Sequence, residues 1–549
     1  MNEIKQAIQK AVSELFKQDV GVVLTRPDPQ FGDFACNIAM QLAGKLGASP
    51  REIADQIVVA LKKTSTITDA SVAGPGFINI TVSDEALVSL AESTTDNPYK
   101  DQTIVIETNN PNPFKAMHIG HAFNAILGDT IANILEAGAA KTYRVSYHGD
   151  VGLHVGKSMY SLLGYIDGDI SKLDAIAPQD RNCFMSKMYA DGARAYKEDE
   201  AAKAKIDELT KQSFTRDDAT YAAVYDLCLK WSFEDIDANV ARLGNTPIEK
   251  RFLESDAELR GVKIVKDNVP KVFIESDGAL VFKGSEHGSY DNAFVSKRGT
   301  GLYASRDLGL VQLKNEQYHP DKSYIVTAEE QRAYFVGVLA AVGLCMPELK
   351  DKTVNISTGT VKLTTGKMSS RDGDVVEINW LFEQIGSAIT ERGGAVSDAI
   401  VAGALRYQFL KVKIGSDVIF DISESVSLQG NSGVYLQYAH ARACSILRKD
   451  RDFKAGTLSL DDKLQPDERR LLRKVGEYTE VVNMATKELA PHSVCTYLYE
   501  LCQDFNYFYE KNRVIDDSRQ ALRISLVSAY AQTLKKGLTL LGITALESM

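Results

Sequence analysis

Two histidines three residues apart, His118 and His121, stand with only Ile119-Gly120 between them. Both imidazoles can donate hydrogen bonds toward a phosphate. Gly120, with no side chain, lets a flat base or ribose come close to the backbone. Much later, Gly366-Lys367-Met368-Ser369-Ser370-Arg371-Asp372-Gly373 sets a lysine and small hydroxyl residues between glycines. Such a loop can close a cation over a polyphosphate, which the chemistry needs only while charge develops. Taken singly, the histidines read equally as surface residues at a helix start and the loop as a solvated one.

The elements that must position these residues decide between the readings. Thr103 to Thr108 is a short β-branched run that predicts a buried strand. Ile119, Ala122, Phe123, Ile126, Leu127, Ile131 and Ile134 recur at helical spacing, and Gly138 stands where a C-terminal cap belongs. Strand, tight loop and helix in that order make the first βα unit of a doubly wound parallel sheet. Ligands of such sheets bind at the carboxyl ends of the strands, where a helix amino-terminus adds positive potential.

A chain of 549 residues is expected to form roughly three or four domains. The formal charge of −10 excludes indiscriminate coating of nucleic acid and requires any RNA site to be a local basic patch. No run approaches the roughly 18 apolar residues of a membrane span, and the charged amino-terminus MNEIKQAIQKAVSELF is unlike a secretion signal, so a cytoplasmic protein without membrane contact is expected. The seven cysteines include no C-x-x-C pair, which predicts buried thiols and neither a disulfide framework nor a structural zinc.

Residues 1–100 read as a small α+β domain with an edge strand at Gly76–Ile80. Residues 101–396 hold the sheet, interrupted by an insertion at about 157–300 that contains a hairpin around Ser276-Asp277-Gly278. Strands are expected at Tyr143–Tyr147 and Ser323–Thr327, with Gln331 at a strand's carboxyl end. From Ser397 to the end the pattern is helical. Arg448, Lys449, Arg451, Arg469, Arg470, Arg473 and Lys474 form basic clusters near tyrosines, a combination suited to an RNA loop.

The joint order of these motifs resembles the class I aminoacyl-tRNA synthetases, and within them the arginyl-tRNA synthetases. The run Glu107-Thr108-Asn109-Asn110-Pro111-Asn112 through His121 is similar to the arginyl pattern, FGDFACNIAMQLAGKLGASPREIADQI to the family's tRNA-corner domain, and Gly430–Arg442 to its anticodon-binding bundle. The resemblance implies a multidomain α/β plus all-α protein with a Rossmann-type catalytic core, acting as an arginine–tRNA ligase on L-arginine, tRNA(Arg) and ATP with Mg²⁺, without zinc and as a monomer. It gives His118, His121, Lys115 and Lys367 to catalysis, and Gly120, Met368 and Ser369 to ATP. Glu107, Asn112, Tyr303, Asp307 and Gln331 go to arginine. Lys115 stands in for the second lysine of the late loop, whose place Ser370 takes, while Val151 and His154 depart from the family's Gly-Asp-Trp-Gly-Thr-Gln-Phe-Gly. The alternatives are a class I synthetase of other specificity and a catalytically silent, synthetase-like RNA-binding protein.

Overall fold

The structure, a computed structural model, describes residues 1–364, 376–450, 458 and 462–549. Its centre is a parallel five-stranded sheet built from β1 (Thr103–Asn109), β2 (Lys141–His148), β3 (Lys250–Leu253), β4 (Lys322–Ala328) and β5 (Thr353–Thr358), in the spatial order β5-β4-β1-β2-β3. The chain winds outward from β1 to β3, then returns beside β1 at β4. This reversal places a crevice at the carboxyl ends of β1 and β4, where ligands of doubly wound sheets bind.

Helix α1 (Ile119–Ala137) follows β1 and covers one face of the sheet. The other face carries α2 (Glu254–Asp267) and α3 (Tyr303–Tyr318), which pack on Val105, Val145 and Phe252 through Ala257 and Leu310. These two helices touch backbone to backbone. A Cβ on Gly309 would lie 2.0 Å from the Ala257 carbonyl oxygen, and one on Gly261 only 1.7 Å from that of Ser305. No side chain larger than hydrogen fits at that crossing, so the polar residues flanking it are forced into one cluster.

The expected single insertion is two. Four long helices between Leu153–Ile166 and Ala219–Arg242 separate β2 from β3, and a three-stranded antiparallel sheet (Phe273–Ser276, Ala279–Phe282, Asn292–Val295) separates α2 from α3. Between them lies β3, only four residues long in a stretch of helical composition and therefore silent to periodicity. The expected hairpin forms, with Asp277 at φ 49° and Gly278 at φ 80° as a two-residue turn of the kind that matches strand twist.

At the amino-terminus three helices pack on a four-stranded antiparallel sheet, in which Phe77–Val82 is paired on both sides and so is not an edge. The carboxyl-terminal third is a bundle whose longest members are Pro491–Lys511 and Gln520–Leu540. Arg406, wholly buried, ties bundle to core: its guanidinium reaches Asp129 of α1 at 2.8 Å, the Leu541 carbonyl at 2.7 Å and Asn245 at 2.7 Å. Gly138 does not act as a left-handed cap, since its φ is −86°. A Cβ there would come within 2.6 Å of Thr486 and 2.9 Å of Tyr99, so its role is the close junction of α1 with the bundle. Among the described residues no helix is long and apolar enough to cross a membrane.

Candidate active site

His118 occupies the N-cap of α1 in an extended conformation, and its Nδ1 accepts from the backbone N–H groups of Gly120 (3.1 Å) and His121 (3.3 Å). In return His121 Nδ1 accepts from the N–H of His118 at 3.4 Å, and the two rings stack with centroids 3.6 Å apart. This reciprocal cap satisfies orphan donors of the helix end. It also fixes the tautomer, because a neutral imidazole that accepts at Nδ1 carries its proton at Nε2. Burial, then the neighbouring Lys115, lowers His118 to about 4, and burial with His118 and Lys115 holds His121 far below its ordinary value. The pair is thus two neutral N–H donors at a helix N-terminus. Gly120 has a local reason as well: a Cβ would sit 3.1 Å from the His118 ring and press on it.

The loop between β1 and α1 is held from outside. Phe114 lies at φ 65°, an unfavourable region for a bulky residue, and both its backbone groups are claimed by the helical insertion, its N–H by Ser232 Oγ (3.0 Å) and its carbonyl by Ser158 Oγ (2.9 Å). Lys115 follows directly. It lines a small cavity with Arg181, Trp231 and Asp235, has no ion-pair partner among the described residues, and burial lowers its pKa. A cation left without a counter-charge suits an incoming polyphosphate. Lys367, Met368 and Ser369 lie outside the described residues. The chain just beyond them is seated on the histidine motif, since Ile119 N–H donates to Val376 O (2.9 Å) and Ile378 N–H to Met117 O (3.0 Å).

On the opposite side of the crevice the alternation of β1 and β2 sends Glu107 and Tyr147 toward α2 and α3. Helix α3 brings Tyr303, Asp307 and Lys314 along one stripe, one and two turns apart. The Glu107 carboxylate does not wait for a substrate. One oxygen takes Lys314 Nζ at 2.6 Å, with both side chains 1% exposed, and the other accepts from Asn110 Nδ2 at 2.7 Å. Arg306 is similarly consumed by Glu254 (2.6 Å) and Glu258 (3.2 Å). Among the described residues Asp307 receives only the Tyr334 hydroxyl. Burial, with Glu107 and Glu254 as like charges and against the Tyr334 bond, pushes its carboxyl up to about 7. Four carboxyls in this cluster face two cations; burial raises Glu254 too, and Asp307 is the one of the four with no ion pair among the described residues.

Tyr303 is 68% exposed one turn before Asp307 and lies over Arg306, 5.3 Å from guanidinium to ring centre. Gln331 is exposed just past the end of β4. Asn112 accepts from the Gly149 N–H at 3.1 Å. The divergent segment after β2 is a strut: His154 Nε2 bonds the Gly149 carbonyl at 2.7 Å, and buried Asp150 takes the Ser255 N–H (3.0 Å) and the Tyr225 hydroxyl (3.1 Å). Sequence reasoning missed Lys314, Tyr334 and Tyr147. The first had a signal, seven residues after Asp307 on the same helix stripe, and Tyr147 closes the expected strand Tyr143–Tyr147; Tyr334 had none.

The residues between 84 and 422 match the family described as tRNA synthetases class I (R), catalytic domain. The chain belongs to that family. The flanks of this class I (R) synthetase match too: residues 2–82 the arginyl tRNA synthetase N terminal domain, and residues 436–549 the DALR anticodon binding domain. Proteins named arginine–tRNA ligase from Frankia casuarinae and Pseudomonas fluorescens are 29% and 28% identical over the full chain, covering 98% and 99% of their own lengths. The solved arginyl-tRNA synthetase of Thermus thermophilus superposes with a TM-score of 0.79 at 24% identity, each chain covered completely. That of Plasmodium falciparum gives 0.78 at 19%, over 100% of this chain and 99% of the other.

In this synthetase the basic clusters expected to meet RNA are largely spent inside the protein. Arg469 binds Asp33 (2.5 Å) and Asp84 of the amino-terminal domain, Arg473 the Pro27 carbonyl (2.8 Å), and Lys474 both Glu477 and Glu500 (2.8 Å each). Arg469 and Arg473 clamp the first domain to the bundle, while Lys474 is held within the bundle. Arg470, paired with Asp504, stacks on the exposed Tyr507 at 4.7 Å. Arg451 lies outside the described residues.

Proposed function

We infer that the chain is an arginine–tRNA ligase, which couples L-arginine to ATP and passes the arginyl group to tRNA. The observation that carries this is the opposition across one crevice of a neutral N–H pair at a helix N-terminus and a recessed carboxyl cluster short of a cation. The first suits the phosphates of ATP, and the second suits a guanidinium.

In the first step an arginine carboxylate oxygen forms a bond to the α-phosphorus, the bond from that phosphorus to the bridging oxygen breaks, and pyrophosphate leaves. In the second, a hydroxyl of the terminal ribose of tRNA attacks the acyl carbon, loses its proton, and AMP departs. No covalent enzyme intermediate is required, so positioning and electrostatics carry the catalysis. His118 and His121 donate from Nε2 to phosphate oxygens. Lys115 and Lys367 neutralise the triphosphate, Gly120 admits the nucleotide, and Met368 and Ser369 border it. Mg²⁺ enters with ATP as part of the substrate. Asp307 takes the guanidinium, with Tyr303, Asn112 and Gln331 around the amino acid. Glu107, both of whose oxygens have protein partners, holds the pocket in shape through Lys314 and Asn110. The setting is cytoplasmic translation.

The test is ATP–pyrophosphate exchange with each of the twenty amino acids, with and without tRNA. Exchange with arginine alone is expected. Exchange with a different amino acid would reassign the pocket, and none from folded protein under any condition would favour a silent RNA-binding role.

A further inference from the structure

Tyr147 stands at the carboxyl end of β2, on the face of the sheet that carries α2 and α3, with its ring partly buried against the apolar cluster of Val105, Val145 and Leu310. Its backbone is fixed. The Tyr147 N–H donates to Asn110 Oδ1 at 2.9 Å, and Asn110 in turn donates to Glu107. The side-chain hydroxyl is buried and has no hydrogen-bond partner among the described residues. Buried hydroxyls are nearly always paired, and one that is not carries a desolvation cost that calls for a reason. The titratable groups that act on it are Asp307, Glu254, Arg306 and Tyr334, which belong to the carboxyl cluster and its partners.

Asp307 can take two N–H groups of a guanidinium, side by side. A guanidinium has five, and those left over need acceptors that are not already engaged. Glu107, Glu254 and Glu258 are engaged by Lys314 and Arg306. The Tyr147 oxygen has its lone pairs free of any described donor, and it can accept from the ligand.

We propose that Tyr147 is a specificity-determining residue of the arginine pocket, its hydroxyl accepting a hydrogen bond from the substrate guanidinium beside Asp307. This rests on the arginine reading of the same site and deepens it. The hydroxyl is a cost to the free protein that is recovered only when the guanidinium is present. A site built this way discriminates strongly against side chains that leave its polar groups unpaired.

The experiment is Tyr147→Phe in the full chain, read as KM for arginine and for ATP in tRNA-supported pyrophosphate exchange, with the Tm of the free protein alongside. The arginine KM is expected to rise about tenfold, the ATP KM to stay within about twofold, and the Tm to hold or rise because an unpaired buried hydroxyl has gone. An unchanged arginine KM from a variant whose wild type exchanges with arginine overturns the inference and leaves the functional reading standing. A fall in Tm with equal losses toward both substrates also overturns it, by showing a structural hydroxyl. If the wild type shows no arginine-dependent exchange, the functional reading fails and takes this inference with it.

Discussion

At one end of the crevice two histidines, a helix terminus and Lys115 wait for negative charge, and at the other Asp307 waits for positive charge. The two ends prepare by different means. On the phosphate side the two histidines, the helix terminus and Lys115 all come from a stretch of seven residues, and the rings are neutral donors whose direction is set by the backbone they cap. On the acidic side the components come from two strands and three helices, and what matters is which carboxyls already have partners. Preorganised dipoles serve where charge develops during reaction, because they need no reorganisation at that moment. An ionisable group short of a partner serves where a charged ligand must be selected, because the ligand completes it.

The sharpest way to break this contrast is to remove a charge from each end. Lys115→Ala is expected to lower the rate of arginine activation by roughly two to three orders of magnitude, the loss typical of one electrostatic group aimed at a transition state. The Tm should change little, since Lys115 has no ion pair to lose among the described residues. Near-normal turnover would show that the phosphate side does not depend on it. Asp307→Asn should act on the other substrate, raising the arginine KM roughly 10- to 100-fold through loss of a charged hydrogen bond while the ATP KM stays put. Equal effects on both substrates would erase the division of the crevice into two halves.

Acidity separates the halves with less effect but more directly. The Asp307 carboxyl sits at about 7, above its unfolded value, so its contribution to stability is present below about 3.8 and is lost as pH rises through 7. Arginine binding needs the ionised form, so the arginine KM should fall as pH rises from 6 to 8 and proton release should accompany binding near pH 6 by calorimetry. His118, lowered to about 4, behaves oppositely: its contribution is present above its ordinary 6.5 and is lost as pH falls through 4. The ATP KM should therefore be flat between pH 6 and 8. A flat arginine profile, or one unchanged in Asp307→Asn, would remove the titration from Asp307. The smallest effect is expected for Gly120→Ala, whose Cβ would press on the His118 ring at 3.1 Å. Loss of that cap should cost about 1 kcal/mol of stability, visible in denaturant titration, with a matching fall in activation rate; a fully stable, fully active variant would mean that the ring has room to move.

Much of this was legible along the chain. The βα unit at Thr103 to Gly138 announced itself by β-branched and helical spacing, and the histidine pair by its position at the turn between them. Gly138 shows the limit of such reading: it is the C-cap its place predicts, yet what requires it to be small is the approach of Tyr99 and of Thr486 in the bundle. The same limit applies to Arg469 and Arg473, which read as an RNA surface and are held by Asp33, 436 residues from Arg469 in sequence. Charged residues look alike in sequence whether they meet solvent, RNA or another domain.

Sequence by itself determined what short-range rules govern. A helix cap is made by residues within three positions of one another, a hairpin turn by two, and a strand's faces by alternation, so these features survive without knowledge of the fold. Tertiary structure alone decided which ionisable groups are satisfied. Lys314 pairs with Glu107 from 207 residues away, Arg306 is shared by Glu254 and Glu258, and among the described residues Asp307 is left with a tyrosine hydroxyl. That outcome depends on two helices approaching at Gly261 and Gly309, because burial and the sum of nearby charges set the character of a carboxyl, and both are properties of the packed chain.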